Sequence, residues 1–274
     1  MIAIYDWFGY KLPIKERYQL IKKIGFDGVL LWWSESFGRD YYRNAPQLAR
    51  EAGLFIENIH TPVDNQNHLW LDNQDGAALA DCYLQCVSDC AEFGISTMVV
   101  HLPGEDKPYN TLGLDRIKKI AGKAEQLGIN VAFENLQNLV NLAYVLEQVD
   151  SPRIGFCYDC GHHYRYYPGQ DLLSMYGPRM MALHLHDIGG VHGQHQLPFD
   201  GPIDWPEAMR KIAEQEYSGA TAIEAMNWDY KHLSAEEFLK EAFARAKRLE
   251  ALRFCKGDLL EPGHSSNYGE AIND

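Results

Sequence analysis

The chain has 274 residues, of which 38 are acidic and 25 basic, so its net charge is −13 and a nucleic-acid partner, which needs a positive surface, is not expected. No apolar run reaches the roughly 18 residues of a membrane-spanning helix, and the N-terminus lacks the pattern of a secretory signal. The six cysteines show no disulfide-framework spacing, which favours a reducing compartment and predicts a cytoplasmic protein.

Apolar runs typical of buried strands alternate with helical patterns along the whole chain. The predicted strands are 2–5, 28–33, 54–59, 97–100, 130–133, 153–158, 180–186 and 220–225. The predicted helices are 14–24, 41–52, 76–93, 111–127, 139–149, 171–176, 205–214 and 235–253. Eight such units predict a parallel sheet closed into a single (β/α)₈ TIM barrel over residues 1–255. Residues 256–274, rich in Gly, Ser, Asn and acids, are predicted to be a C-terminal extension.

Six of the predicted strands end in a side chain of a type that binds metals. These are Glu134, Asp159, His184 and Glu224 on strands five to eight, and His60 and His101 on strands three and four. The carboxyl ends of barrel strands converge on one rim, where the sites of such barrels lie. Three carboxylates and one imidazole suit Mn²⁺, Co²⁺, Mg²⁺ or Zn²⁺, so the sequence predicts one divalent metal ion. For any one acid taken alone, the competing interpretation is a helix cap or a turn.

Four short segments carry a resemblance to a known family. They are Phe133-Glu134-Asn135, Asp159-Cys160-Gly161-His162, His184-Leu185-His186-Asp187 and Ile223-Glu224. Together they resemble the xylose isomerase-like TIM barrels, which include sugar isomerases and epimerases, inosose dehydratases and AP-endonuclease-type enzymes (the AP endonuclease family 2). The resemblance extends from the first strand to the last helix. It implies that the metal ligands are Glu134, Asp159, His184 and Glu224. Barrels of this family are often dimers or tetramers, so a homo-oligomer is compatible with the resemblance, which leaves the oligomeric state open.

The remaining histidines are expected to serve the substrate or a further metal. The resemblance implies that His162 either contacts substrate or helps to bind a metal, and that His195, in the loop after strand seven, contacts substrate. His186 lies on the same strand face as His184, competes with it for the ligand role, and is otherwise expected to touch substrate. His60 and His101 match histidines that hold an additional zinc in the AP-endonuclease branch. For these two, a second metal, contact with sugar hydroxyls and a structural role all remain open.

Two glycines depart from the patterns of particular branches. The endonuclease pattern has an aspartate two places before the loop histidine, where this chain has Gly193. Ketose 3-epimerases carry an arginine six places after the metal histidine, where this chain has Gly190. The resemblance therefore leaves the substrate open. Aromatic residues near the predicted rim offer walls for a sugar, and the candidates are Trp7, Trp33 and Trp228, although such residues also serve simply to cover a barrel core.

The ligand set indicates a chemistry more sharply than a substrate. We predict a metal-dependent isomerase or epimerase of a small ketose or polyol that works through an enediolate, with Glu134 and Glu224 as the acid and base. Loss of a hydroxyl from the same intermediate would instead give an inosose-type dehydratase. Two further functions fit a barrel of this kind, an AP-endonuclease-like zinc phosphodiesterase and a non-catalytic sugar-binding protein. The net negative charge and Gly193 weigh against the phosphodiesterase.

Overall fold

The computed structural model describes residues 1–35, 38–104, 107–192 and 194–254. Its eight strands are β1 (Ile2–Tyr5), β2 (Gly28–Trp32), β3 (Phe55–His60), β4 (Thr97–Val100), β5 (Asn130–Glu134), β6 (Ile154–Asp159), β7 (Met180–His184) and β8 (Thr221–Ile223). All pair in parallel, in the order β7-β6-β5-β4-β3-β2-β1-β8. The seam between β7 and β8 is closed by hydrogen bonds from Leu185 N to Ala222 O and from Glu224 N to Leu185 O. The predicted TIM barrel is confirmed.

Within the described part of the chain, nine helices surround the barrel, one more than predicted. They are α1 (Ile14–Ile24), α2 (Arg39–Glu51), α3 (Gln74–Phe93), α4 (Thr111–Leu127), α5 (Leu139–Gln148), α6 (Cys160–Tyr166), α7 (Leu172–Tyr176), α8 (Trp205–Glu214) and α9 (Ala235–Phe254). The unpredicted helix is α6, which begins directly after β6. The proposed extension, 256–274, lies outside the described residues. None of the described helices combines the length and apolar character needed to cross a bilayer.

Helix ends follow local signals in the sequence. Asn73 and Asn110 accept hydrogen bonds from Gly76 N and Gly113 N, so each satisfies a backbone donor that the first turn of α3 or α4 leaves open. Gly94 ends α3 in the left-handed region with φ of 61°, a conformation that costs glycine little. These signals fix where each helix returns the chain to the barrel.

Apolar side chains form an outer core between barrel and helices and a smaller core inside the barrel. The outer core includes Val29, Leu31 and Trp33 from alternate positions of β2 and its end. The inner surface carries small residues, among them Ala3, Ala132, Ala182 and Ala222. Because the inner residues are small, the barrel end above them has room for the long polar side chains at the strand ends.

Candidate functional site

Four buried side chains from four consecutive strands converge at the carboxyl end of the barrel. Glu134 ends β5, Asp159 ends β6, His184 ends β7 and Glu224 follows β8. One ligand atom from each lies within 4.8 Å of the others, and none of the four is more than 4% exposed. The fold therefore brings together the whole predicted ligand set.

The orientation of these atoms fits a shared central cation better than direct pairing. His184 Nδ1 lies 3.0 Å from Glu134 Oε2 and 3.2 Å from Glu224 Oε2. Nevertheless His184 Nδ1 and Glu224 Oε2 are buried without a hydrogen-bond partner among the described residues. Buried polar atoms without partners are costly, and a metal ion satisfies several at once. The residues present therefore fit a divalent metal.

The carboxylates are held in the ionised form that metal binding requires. Burial by itself would raise the pKa of Glu224, but His184 outweighs it and lowers the pKa to about 2. Burial would likewise raise the pKa of Glu134, but the neighbouring His101 and His184 outweigh it and bring this pKa well below the usual range. Burial lowers the pKa of His184, yet Cys157 and the two glutamates raise it well above the ordinary value. Without a metal, a proton on His184 takes the place of a cation.

Asp159 is positioned by three neighbours. Its backbone N–H donates to Asn135 Oδ1, while Asn135 Nδ2 donates to Asp159 O, both at 2.8 Å, which ties the ends of β5 and β6 together. Asp159 Oδ1 accepts from His162 N at 2.6 Å and so caps α6. Asp159 Oδ2 lies 3.0 Å from His186 Nε2. These bonds explain why Asn135 and His186 accompany the ligands in the motifs.

His186 lies beneath the site and does not line its cavity. The ring is fully buried; its Nδ1 lies 3.0 Å from both His195 N and Asp187 O, and its Nε2–H donates to Asp159 Oδ2 at 3.0 Å. A side chain at Gly161 would meet His186 Cε1 at 2.0 Å, so this glycine provides the space for the ring. The expected substrate contact by His186 therefore has no geometric support, and the side chain orients a ligand instead.

His60 and His101 approach Glu134 from β3 and from just beyond β4. Their Nε2 atoms lie 3.5 Å and 3.2 Å from Glu134 Oε2. His60 Nδ1 donates to Thr61 O at 2.9 Å, so Nε2 is the ring nitrogen that faces the carboxylate. His60, Glu134 and His184 form a further group with metal-ligand spacing, which fits a second cation. Both histidines also line the cavity, so substrate contact stays open for them.

His162 and His195 both line the cavity, with their ring centroids 6.1 Å apart in an edge-to-face contact. Burial lowers the pKa of His162, but Asp159 and Glu134 raise it to about 9. His195 Nδ1 donates to Glu224 O at 3.0 Å, and burial together with His186 lowers its pKa to about 4. His195 is therefore a neutral ring whose Nε2 can accept a hydrogen bond in the cavity.

The loop after β7 carries His195 and is organised by Asp187. This buried carboxylate accepts from the backbone N–H groups of Ile188, Phe199 and Ile203 and from Trp205 Nε1, at 2.8 to 3.3 Å. Gly190 has φ of 60°, and a Cβ there would meet Gln196 Nε2 at 2.3 Å. A side chain at this position would therefore have to displace Gln196 and would strain the backbone. Gly193 lies outside the described residues.

The cavity above the cluster has a volume of about 610 Å³. Two of the predicted walls, Trp7 and Trp228, line it, but Trp33 does not. Trp33 packs on Tyr42 outside the barrel and donates to Asp89 Oδ2 at 3.0 Å, while its neighbour Trp32 faces the cavity. The choice of Trp33 was wrong because every residue from Val29 to Trp33 is apolar, so alternation could not show which face is inside. Tyr5, at the end of β1, also lines the cavity and was not predicted.

Comparison with known proteins agrees with this architecture. The profile of the xylose isomerase-like TIM barrel family matches residues 18–249. The fructoselysine 3-epimerase of Shigella flexneri is 22% identical over 236 residues, which cover 78% of this chain and 86% of the epimerase. The crystal structure of D-psicose 3-epimerase with D-tagatose from Clostridium cellulolyticum H10 superposes with a TM-score of 0.75 at 17% identity, covering 93% of this chain and 99% of that one.

A second solved structure, the IOLI protein with a bound zinc atom, gives a TM-score of 0.74 at 14% identity over 93% of this chain and 100% of that one. At identities this low, the two solved structures show only that this chain shares their fold. The family profile spans most of the chain and includes β5 to β8 with their four convergent side chains. The chain belongs to the xylose isomerase-like TIM barrel family.

Proposed function

We propose that this protein is a metal-dependent isomerase or epimerase that acts on a small ketose or polyol. The observation that carries the proposal is the convergence of Glu134, Asp159, His184 and Glu224 beneath a cavity large enough for a sugar. Named relatives and structural neighbours, including fructoselysine 3-epimerase and D-psicose 3-epimerase, are sugar epimerases, which supports the same class. A divalent metal held by these four residues would polarise the substrate oxygens and acidify the adjacent C–H bond.

The two glutamates are suited to move the proton. Both are ionised and both line the cavity, from different strands. One carboxylate takes the proton from the carbon beside the carbonyl, and the electron pair of that C–H bond moves toward the carbonyl oxygen, which gives the enediolate. The other glutamate returns a proton. Return to the neighbouring carbon, together with transfer of the hydroxyl proton to the former carbonyl oxygen, isomerises the sugar. Return to the opposite face of the original carbon epimerises it.

Other side chains around the cavity are assigned to substrate binding. His195 offers a neutral acceptor for a hydroxyl group, and His162 offers a charged donor in the metal-free state. Trp7, Trp32 and Trp228 offer aromatic faces. Among the lining residues that the structure describes there is no lysine or arginine, which weighs against a phosphodiester substrate.

Proton exchange in D₂O tests the proposal. The purified protein, stripped of metal and reloaded with Mn²⁺, Co²⁺, Mg²⁺ or Zn²⁺, is incubated with a panel of ketoses and inososes, and deuterium uptake beside the carbonyl is followed by NMR. We expect metal-dependent uptake that Glu134→Gln lowers by a factor of about 10² to 10⁴. Glu147→Gln, an exposed substitution on α5, is the matched control and should retain the wild-type rate.

The same experiment separates the competing functions. Loss of water from an inosose would indicate the dehydratase. Ketose binding without uptake by any metal form would indicate a binding barrel, and cleavage of abasic DNA without uptake would indicate the phosphodiesterase. Each of these results would replace the isomerase proposal.

A further inference from the structure

The cavity has two chemically different walls. The metal-type ligands come from β5 to β8, whereas Trp7, Trp32 and Trp228 come from the ends of β1 and β2 and from beyond β8. In the sheet order β2-β1-β8 these three strands are neighbours, and the three tryptophans pack on one apolar cluster with Tyr5 and Met226. We call Tyr5, Trp7, Trp32, Met226 and Trp228 the aromatic wall.

The aromatic wall is held in place by contacts outside the ligand cluster. The Arg17 guanidinium lies 5.2 Å from the Trp7 ring centroid. Asp6 Oδ1 accepts from Trp32 N at 2.9 Å. The Trp228 ring meets His195 edge to face at 5.5 Å. Rigid aromatic surfaces of this kind bind the apolar faces of rings at low entropic cost.

The volume exceeds what a simple sugar fills. A cavity of about 610 Å³ corresponds to roughly twenty water molecules at about 30 Å³ each. A ketohexose has twelve non-hydrogen atoms and would leave much of that space empty, even if each atom displaced a whole water. A molecule with its reacting carbons at Glu134 and Glu224 therefore has room for a second ring against the aromatic wall.

The charged residues that line the cavity indicate whether the second ring carries a charge. The described lining residues include Asp64 at the mouth and no lysine or arginine, so a phosphate or carboxylate on the second ring, away from the metal-type ligands, would have no lysine or arginine to pair with. Asp64 is exposed at the mouth, where solvent screens its attraction for a cation. An uncharged second ring avoids the unpaired anion and does not depend on that screened attraction.

We infer that the preferred substrate is an uncharged ketose carrying a second ring, such as a keto-disaccharide, with that ring bound on the aromatic wall. This inference rests on the proposed function for the reacting end of the substrate.

The test compares four ligands with the metal-loaded protein: fructose, its uncharged glucoside isomaltulose, a fructose phosphate, and a cationic fructosyl amine. Binding is measured by calorimetry and proton exchange by NMR. We expect isomaltulose to bind at least tenfold more tightly than the other three and to have the highest kcat/KM. Equal or better binding of any of the other three would overturn the inference.

Variants locate the second ring. Trp32→Ala and Trp7→Ala, checked for folding by circular dichroism and for metal content, should each reduce the preference for isomaltulose over fructose by about tenfold or more. Phe254→Ala removes an exposed aromatic ring at the end of α9 and should keep the preference. An unchanged preference in both tryptophan variants would overturn the inference. Tight isomaltulose binding without proton exchange would refute the isomerase and leave the proposed subsite for the second ring standing. Proton exchange without a preference for isomaltulose over fructose would support the isomerase and refute that subsite.

Discussion

Single side chains in this site each make a supporting contact with the protein and also present an atom to the candidate metal position or the cavity. Asp159 offers one oxygen to α6 as its cap and the other to His186 Nε2 and the ligand cluster. His195 holds Glu224 O through Nδ1 and turns Nε2 to the cavity. Because each group is fixed from behind, the atoms that converge on the cation position lose little entropy on binding.

Removal of the support behind Asp159 should weaken the metal without removing a ligand. In His186→Leu the carboxylate loses the 3.0 Å donor at Oδ2 but keeps its cap on α6. We expect the metal dissociation constant to rise about 10- to 100-fold, measured by calorimetry or chelator competition. His232→Leu replaces an exposed histidine and should bind metal normally. An affinity in His186→Leu equal to that of the wild type would show that the His186 contact does not orient Asp159.

The pKa shifts predict how stability of the metal-free protein depends on pH. The pKa of His162 is raised from 6.5 to about 9, so its stabilisation is complete below pH 6.5 and is lost as the pH rises from 6.5 through 9. The pKa of Glu224 is lowered from 4.5 to about 2, so its contribution is present above pH 4.5 and lost as the pH falls toward 2. The pKa of His195 is lowered from 6.5 to about 4, so its contribution is complete above pH 6.5 and is lost as the pH falls from 6.5 through 4. The metal-free protein should therefore be most stable near pH 6.5.

A bound metal would supply the positive charge that the protonated histidines give the carboxylates in the metal-free protein. Thermal unfolding of both forms should show that the gap in Tm between metal-loaded and metal-free protein widens from pH 6.5 to 9. A gap that narrows over this range would contradict the assignment of the protonated histidines.

At the scale of elements, the sequence predicted what depends on periodicity and missed what depends on local contacts. The amphipathic helix α1 and the apolar strand β4 have the predicted bounds. The seven residues of α6 include Gly161 and no apolar stripe, and the helix begins because Asp159 caps it, a signal that resembles any acid before a turn. Similarly, the residues of β2 after Gly28 are all apolar, so no polar–apolar alternation shows whether Trp32 or Trp33 faces the inside of the barrel. The convergence of the four candidate ligands was predictable because each ends, or directly follows, its own strand.

The loop between β7 and α8 depends on one carboxylate. Asp187→Asn replaces an oxygen that accepts two or more donors with an amide nitrogen that cannot accept, so a buried donor such as Trp205 Nε1 loses its partner. We expect a loss of roughly 1–3 kcal/mol in the free energy of unfolding. Hydrogen exchange should quicken in 188–204 more than in the barrel strands.

An exposed site provides the comparison for this variant. Asp150→Asn should leave both the stability and the exchange unchanged. If exchange in Asp187→Asn rose uniformly along the chain, the carboxylate would be supporting the whole barrel and not this loop.

At the scale of the whole molecule, the cation position lies where the barrel closes. Glu134, Asp159, His184 and Glu224 belong to β5, β6, β7 and the end of β8, and the β7–β8 seam is joined by few backbone hydrogen bonds. A metal bound to all four side chains would connect the two edges of the sheet. Metal binding should therefore stabilise the fold as a whole, in addition to supporting catalysis.

Chelation measures that contribution. At a free metal concentration about 100 times the dissociation constant, binding adds about 2.7 kcal/mol, which for a chain of this size corresponds to a rise in Tm of about 5 °C. We expect a strong chelator to remove that increment and added metal to restore it. In Asp159→Asn the increment should be small, because one ligand is lost, whereas Glu147→Gln should keep it in full. A Tm that does not respond to chelator in a protein shown to have lost its metal would mean that the β7–β8 seam is stable without the ion, and that the four side chains are held in position by packing alone.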